Sequence, residues 1–378
     1  MPENISIAEI EINGFKSIKR LPALSLNRLN LLIGANGSGK TSFVSFFKMV
    51  QFYLGSLNGL SEYVGQNGGA EFLLHFGSRH TDTISAKFKI KTGAGINEYQ
   101  VELGTSIGDT LYFKDEKVCF SANRLKEKNK PLPLGGGGKE SRLHQIREDD
   151  AEYNTAHKTI RSIKRLMGEP RFYQFHNTSK DAYIRKSSQV EDNRYLRSDG
   201  GNLSSFLYML KEDYPDSYKT ILEITGRIAP YIESIRLENE YNPRYVKLNW
   251  TEAGYGDYSF DVGQMSDGTL RAMALITLLV QPNPPRIICI DEPELGLHPE
   301  AIAILGDLLK CASEKSQIIV STQSPALVDL FEPEDIIVVN RVQGESRFER
   351  LDPQKYSAWL EEYSLSQMWN ANVFGGRP

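Results

Sequence analysis

Apolar and polar residues alternate at the start of the chain, with Ile5, Ile7, Ile10 and Ile12 on one side of the pattern. That period predicts a half-buried strand. Over residues 5–33 the reading is strand, a turn at "NGFKS", and a second strand. The segment "LNLLIGANGSGKTSFVSFFKMVQFYL" then predicts a buried strand, a glycine loop and a helix. From about residue 81 the pattern returns to alternation in "TISAKFKIKTG", "INEYQVELG" and "TLYFKDEKVCFSA", which predicts a small antiparallel meander attached to the main sheet. Residues 124–147 combine a Pro pair, four consecutive glycines and an excess of Lys and Arg, and read as a mobile loop or an insertion boundary without a folded element of its own.

Helical stretches such as "NLSSFLYMLKEDY" and "DSYKTILEITGRIAPYI" predict a helical lobe over residues 151–240. A hairpin in "YVKLNWTEAGYGDYSFDV" follows. The last part of the chain alternates strand "RIICI", a helix over about 299–313, strand "QIIVS", a short helix, strand "DIIVV" and a helical tail. Alternation of this kind predicts an α/β fold with a mainly parallel sheet covered on both faces. No heptad run sustains a coiled-coil arm, and no internal repeat is visible.

Length and charge narrow the classes. A chain of 378 residues with formal net charge -4 is not built as a basic surface all round, although a local basic strip is compatible with that average. Cys119, Cys289 and Cys311 are widely spaced, which excludes a zinc ribbon and a disulfide framework and suits a reducing compartment. No run of about 18 apolar residues is present, so a cytoplasmic protein without a membrane span is expected.

"GANGSGKT", Gly34 to Thr41, satisfies G-x-x-x-x-G-K-[ST] between a strand and a helix. Such a loop aims consecutive backbone N–H groups at an anion, and the helix adds the positive end of its dipole. Lys40 is expected to reach the β- and γ-phosphates of a nucleotide, and Thr41 to place its hydroxyl on Mg²⁺. Asn36, Gly37, Ser38, Gly39 and Ser42 complete the expected ATP-binding set. In "RIICIDEPELGLHP" an apolar strand delivers Asp291 and Glu292 at its C-terminal end, where open α/β sheets bind ligands. Asp291 is expected to hold the metal, directly or through water, and Glu292 to orient and deprotonate an attacking water. Taken alone, the same pair is also what a solvated strand end looks like.

"MSDGTLR" starts a helix on Ser266 with a glycine, Gly268, in its first turn, where glycine carries a high entropy cost. Together with the glycine loop and "DEPELGLHP", this order of motifs resembles the ABC-type ATPases of the RecF and chromosome-maintenance branch. Its nearest likeness is the AAA_21-type ATPases of bacterial defence loci. "GFKSIKRL", "YQFHNTS", "LRSDGGNLSSFLYML", "STQSP" and the tail "YSLSQMWNANVFGGRP" extend the resemblance over nearly the whole chain.

The resemblance implies a P-loop ATPase head divided as follows. Residues 1–80 carry the phosphate loop, 81–123 the meander, 124–240 the loop and inserted helical lobe, and 241–378 the signature, acidic pair and switch loop. It also implies two copies arranged head to tail, with Ser266 and Gly268 of one capping ATP held by the other; Asp267 and Thr269 depart from the commoner Ser-Gly-Gly-Gln form. An ordinary serine N-cap is the simpler alternative for that helix start.

Gln323 stands where transporter-type relatives place a histidine against the γ-phosphate, which implies slow turnover without a histidine-like pH profile. Gln66 matches either the glutamine that senses Mg²⁺ or a surface loop residue, and His298 is open to a structural or a catalytic reading. The basic stretch at 124–147, continued by "HKTIRSIKR", reads as a solvated loop or as a nucleic-acid or protein contact. The resemblance points to a partner effector, such as a nuclease, in anti-phage defence. A RecF-like DNA clamp and an ATP-binding scaffold with negligible turnover are the alternatives.

Overall fold

The computed structural model describes residues 5–377 apart from 124–129, 148–149, 151–152, 154–155, 239–241 and 256–257. Along the chain, strands β1 (Ser6–Phe15), β2 (Ile18–Ser25) and β3 (Leu29–Ile33) lead into helices α1 (Lys40–Gly55) and α2 (Gly59–Gln66). Strands β4 (Thr83–Lys91), β5 (Gly95–Ser106), β6 (Thr110–Ala122) and β7 (Leu132–Gly135) precede helices α3 (Arg142–Gln145) and α4 (His157–Met167). Next come β8 (Arg171–Tyr173), β9 (Ser188–Gln189), α5 (Leu203–Asp213), α6 (Pro215–Ile228), β10 (Ile232–Glu238), β11 (Tyr245–Glu252) and β12 (Ser259–Asp261). The elements α7 (Asp267–Val280), β13 (Ile287–Asp291), α8 (Pro299–Ser313), β14 (Gln317–Thr322) and α9 (Pro325–Val328) follow. The chain closes on β15 (Ile336–Val342), β16 (Glu345–Arg350), α10 (Ser357–Leu360) and α11 (Leu365–Asn370).

Two compact units result, one made of residues 1–170 and 332–378, the other of residues 171–331. In the first, an antiparallel sheet runs in the order β2-β1-β4-β5-β6-β7. The expected meander is attached through β4, which pairs with β1, Ile10 opposite Phe88, so it extends the antiparallel sheet begun by the first hairpin. The alternating burial of β4 turns Phe88 inward, where its ring stacks on Phe46 of α1 at 6.1 Å while Phe15 meets Phe46 edge-on at 5.2 Å. Burying rings of this size contributes roughly 2–3 kcal/mol each, so α1 and the phosphate loop before it rest on a stiff base. β3 and β15 pair in parallel, and β15 pairs antiparallel with β16.

Residues 130–147, expected as loop, carry β7 and α3 instead. The cause is Glu116 of β6, fully buried, which accepts from Tyr99 Oη (2.7 Å), Ser141 Oγ (2.8 Å) and the Arg142 amide and so fixes the chain across the sheet. Residues 124–129 of that stretch lie outside the described residues.

In the second unit, β14, β13 and β8 form a parallel set, Ile290 opposite both Val320 and Tyr173. α5, α6, α7 and α8 pack successively, and β10, β11 and β12 form an antiparallel sheet joined by β9. The expected helical lobe is thus divided: α4 belongs to the first unit, and α5 and α6 to the second. α6 also stops at Ile228, ahead of Pro230, and the residues read as its last turn open into β10. Among the described residues no helix is long and apolar enough to cross a membrane.

Candidate nucleotide site

The phosphate loop occupies the β3–α1 turn. α1 begins on Gly39 with no side-chain cap and no acidic residue in its first turn, so no carboxylate competes with an anion for the positive end of the helix. Gly39 has φ 122°, and a Cβ there would lie 2.0 Å from Ser346 Oγ, so both conformation and space require glycine. Lys40 is buried, its ammonium held by the carbonyls of Gly34 (2.5 Å) and Ala35 (3.2 Å). Ser38 Oγ is buried and, among the described residues, has no hydrogen-bond partner. An orphaned hydroxyl beside an uncapped helix start fits a phosphate group. Asn36, Gly37 and Thr41 are exposed, and Ser42 Oγ accepts from Ser17 Oγ at 2.8 Å.

Residues distant in sequence brace this loop. Ser346 Oγ donates to the Ser38 carbonyl (2.6 Å) and lies 2.7 Å from Ser17 Oγ, while Arg341 Nη1 donates to the Gly37 carbonyl (3.3 Å). Gln66 is at the C-terminal end of α2, exposed, with its amide donating to Glu62 Oε1 at 3.0 Å.

In the second unit the strand ends bring Asp291, Glu292 and Gln323 together. Ser321 Oγ donates to Asp291 Oδ1, and the Glu292 amide donates to the Ser321 carbonyl at 2.8 Å. Glu292 has φ 42°, a left-handed conformation that costs a non-glycine residue about 1 kcal/mol or more. Its carboxylate accepts from the Gln323 side-chain amide. A carboxylate held this way has the reach and acceptor capacity of a general base, and Asp291 offers an oxygen suited to Mg²⁺.

Two neighbours escaped the sequence reading. His176 Nε2 donates to the carbonyls of Asp291 (3.0 Å) and Glu292 (3.2 Å), and Gln174 Nε2 reaches Asp291 Oδ2 at 3.4 Å. Glu294 is buried; its Oε1 accepts from Thr322 Oγ1 (2.5 Å) and the Gln323 backbone amide (3.3 Å), and its Oε2 has no partner among the described residues. Burial pushes the Glu294 carboxyl above the usual range, and the Glu292 charge adds to that. The only hint of Glu294 in the sequence was its place two residues after the adjacent acids in "DEPEL".

The start of α7 answers the question of its glycine within one chain. A Cβ on Gly268 would lie 2.7 Å from the Gly296 carbonyl, so the helix can approach the loop after the acidic pair only with glycine there. Ser266 is the N-cap: its Oγ accepts from the Thr269 amide (3.2 Å) and donates to Thr269 Oγ1 (2.8 Å), which also meets Tyr231 Oη at 2.9 Å. The departing residues Asp267 and Thr269 are therefore both engaged. Asp267 pairs with Arg185, whose buried guanidinium also donates to the carbonyls of Thr178 (2.7 Å), Val262 (2.7 Å) and Met265 (3.0 Å). Arg271 ties the same helix to the Phe175, His176 and Leu295 carbonyls. His298 caps α8 through a contact with the Glu300 amide.

The basic residues of "HKTIRSIKR" lie on α4, which buries Ile160, Ile163 and Leu166, leaves Lys158, Arg161 and Arg165 exposed, and ties the Lys164 ammonium to the His144 (2.9 Å) and Ile146 (2.6 Å) carbonyls. Arg147, His157, Arg161, Lys164 and Arg165 line an open groove of about 670 Å³.

The strand–glycine loop–helix unit is the phosphate-binding element of a P-loop ATPase fold, and in the second unit an acidic pair ends a parallel strand. Residues 29–329 match the family AAA_21, described as "AAA domain, putative AbiEii toxin, Type IV TA system", and the chain belongs to that family. Among solved structures it is similar to the Smc head bound to the C-terminal winged-helix domain of ScpA. That likeness has a TM-score of 0.60 and 18% identity over 92% of this chain and 99% of the other. An Smc head with an extended coiled coil bound to the C-terminal domain of ScpA, from Pyrococcus furiosus, gives a TM-score of 0.54 and 17% identity over 95% and 99%. No protein of curated function matches the chain in sequence.

Proposed function

We propose that this chain binds ATP with Mg²⁺ and hydrolyses it slowly between two head-to-tail copies, and that closure of the pair signals to a protein effector, such as a nuclease, in antiviral defence. The observation that carries ATP binding is the phosphate loop, with an uncapped α1 and an unpartnered buried Ser38 hydroxyl. Family membership supports the reaction class. Lys40 and the loop amides hold the phosphates, with Asn36 to Ser42 lining them. Mg²⁺ supplies charge compensation there, with Thr41 and Asp291 as its protein ligands and Gln66 as a further candidate.

Glu292 takes the proton of the attacking water as that water's oxygen bonds to the γ-phosphorus and ADP leaves. Gln323 fixes the Glu292 carboxylate through the hydrogen bond between them. Ser266 and Gly268 of the second copy close the pocket, where the start of α7 presents its dipole. A cytoplasmic setting goes with this role. The test is hydrolysis by Glu292→Gln: a loss of about 100-fold or more with ATP binding retained supports the assignment, and unchanged turnover contradicts it.

A second reading has its own observation. The groove of basic side chains along α4 suits a nucleic-acid backbone, as a DNA-clamp function needs. ATP-dependent binding of duplex DNA that weakens steeply with salt favours it, and salt-insensitive or absent binding removes it.

A further inference from the structure

Segments at the C-terminal side of a domain fray unless something ties them down. Residues 364–377 are tied at several points. α11 opens with a reciprocal capping box between Ser364 and Gln367. Trp369 is fully buried, and its indole N–H donates to the Gly376 carbonyl. The Gly376 amide donates to Asn340 Oδ1 on β15 at 2.6 Å. Gly375 and Gly376 have φ 83° and 69°, so the turn between them is one that side-chain-bearing residues adopt only under strain.

What this turn approaches is the phosphate loop. A Cβ on Gly376 would lie 3.6 Å from Gly34 Cα and 2.8 Å from Val338 Cγ1, so the backbone of Gly376 runs beside the first residue of the loop. Arg377 comes next, its Cα about 3.8 Å further on. It is exposed, and among the described residues it makes no hydrogen bond or ion pair. A buried indole and two left-handed glycines thus bring Arg377 to within one residue of the backbone that runs beside Gly34.

We propose that residues 375–377 form one wall of the nucleotide site and that the Arg377 guanidinium binds a phosphate of the nucleotide. The proposal rests on the reading of residues 34–41 as the ATP site. The planar fork of arginine donates two parallel N–H bonds to phosphate oxygens, which an ammonium cannot do. Lys40 is committed to the inside of the loop, and Arg341 faces the Gly37 carbonyl from the end of β15. Arg377 adds a cation from the side of Gly34.

The experiment is calorimetric titration of ATP with Mg²⁺ into the full chain and its Arg377→Ala, Arg377→Lys and Lys40→Ala variants, with thermal midpoints taken without nucleotide. Loss of a charge-assisted contact predicts about tenfold or greater weakening for Arg377→Ala, partial recovery in Arg377→Lys and an unchanged midpoint. Arg377→Ala binding as tightly as the parent, while Lys40→Ala loses binding, overturns the proposal and leaves the ATP site standing. If the parent binds no ATP, or Lys40→Ala binds it equally well, the reading of the loop fails and the proposal falls with it.

Discussion

The side-chain amide of Gln323 donates to the carboxylate of Glu292. The contact links the first residue after β14 to the first residue after β13, neighbouring parallel strands. It also determines which oxygen of Glu292 remains available to a water molecule. An amide keeps its hydrogen-bonding character across the pH range, whereas an imidazole in its place titrates near 6.5.

Replacing Gln323 by His is therefore expected to introduce an inflection near pH 6.5 in the rate of hydrolysis, absent from the parent chain. Gln323→Ala is expected to lower the rate by about tenfold or more without weakening ATP binding. Rate profiles between pH 5.5 and 8.5 for the three proteins test this. A parent profile that already breaks near pH 6.5 contradicts the role given to Gln323.

Arg185 anchors the approach to α7 through three backbone carbonyls as well as Asp267. Its side chain is 6% exposed and that of Asp267 62%. Removing the guanidinium leaves the carbonyls without their donor, an expected cost of about 2–4 kcal/mol. Asp267→Ala removes only a partly solvated ion pair and should cost less than about 1 kcal/mol. Denaturant unfolding of both variants decides the point, and equal costs would show that Arg185 acts mainly through Asp267.

Burial raises the carboxyls of Glu116 and Glu294 above the usual glutamate value of 4.5. A raised pKa means that the folded state binds the proton more tightly than the unfolded state. The associated stability is present in full below pH 4.5 and is lost as pH rises through the folded-state values. These two groups thus oppose acid denaturation, and Glu294→Gln is expected to flatten the fall in stability as pH rises above 4.5. Thermal midpoints of parent and variant across pH 4.5–8 measure it; parallel profiles would count against a raised carboxyl at Glu294.

The phosphate loop and the strand carrying Asp291 and Glu292 were legible because each is a local pattern: consecutive residues between a strand and a helix. β10 was hidden because Ile232–Glu238 follows α6 after a break of only three residues, and its apolar positions continue the helix period closely enough to mask the change. β7 and α3 were hidden for a different reason. A glycine-rich stretch has no local preference for order, and what orders it is Glu116, buried on another strand. Arg185 and His176 lie beyond any spacing rule, since each acts on backbone carbonyls far away in sequence. Gly268 was legible as an anomaly, yet its contact with Gly296 needed coordinates.

The most direct test of the paired-copy account is the molar mass of the Glu292→Gln chain in solution with ATP and Mg²⁺, measured by light scattering beside the same chain carrying Ser266→Arg. The account predicts twice the monomer mass of 42.6 kDa for Glu292→Gln only when ATP is present, and a monomer once Ser266 is replaced. A Glu292→Gln chain that binds ATP yet stays monomeric, or a dimer indifferent to both ATP and Ser266→Arg, would contradict it.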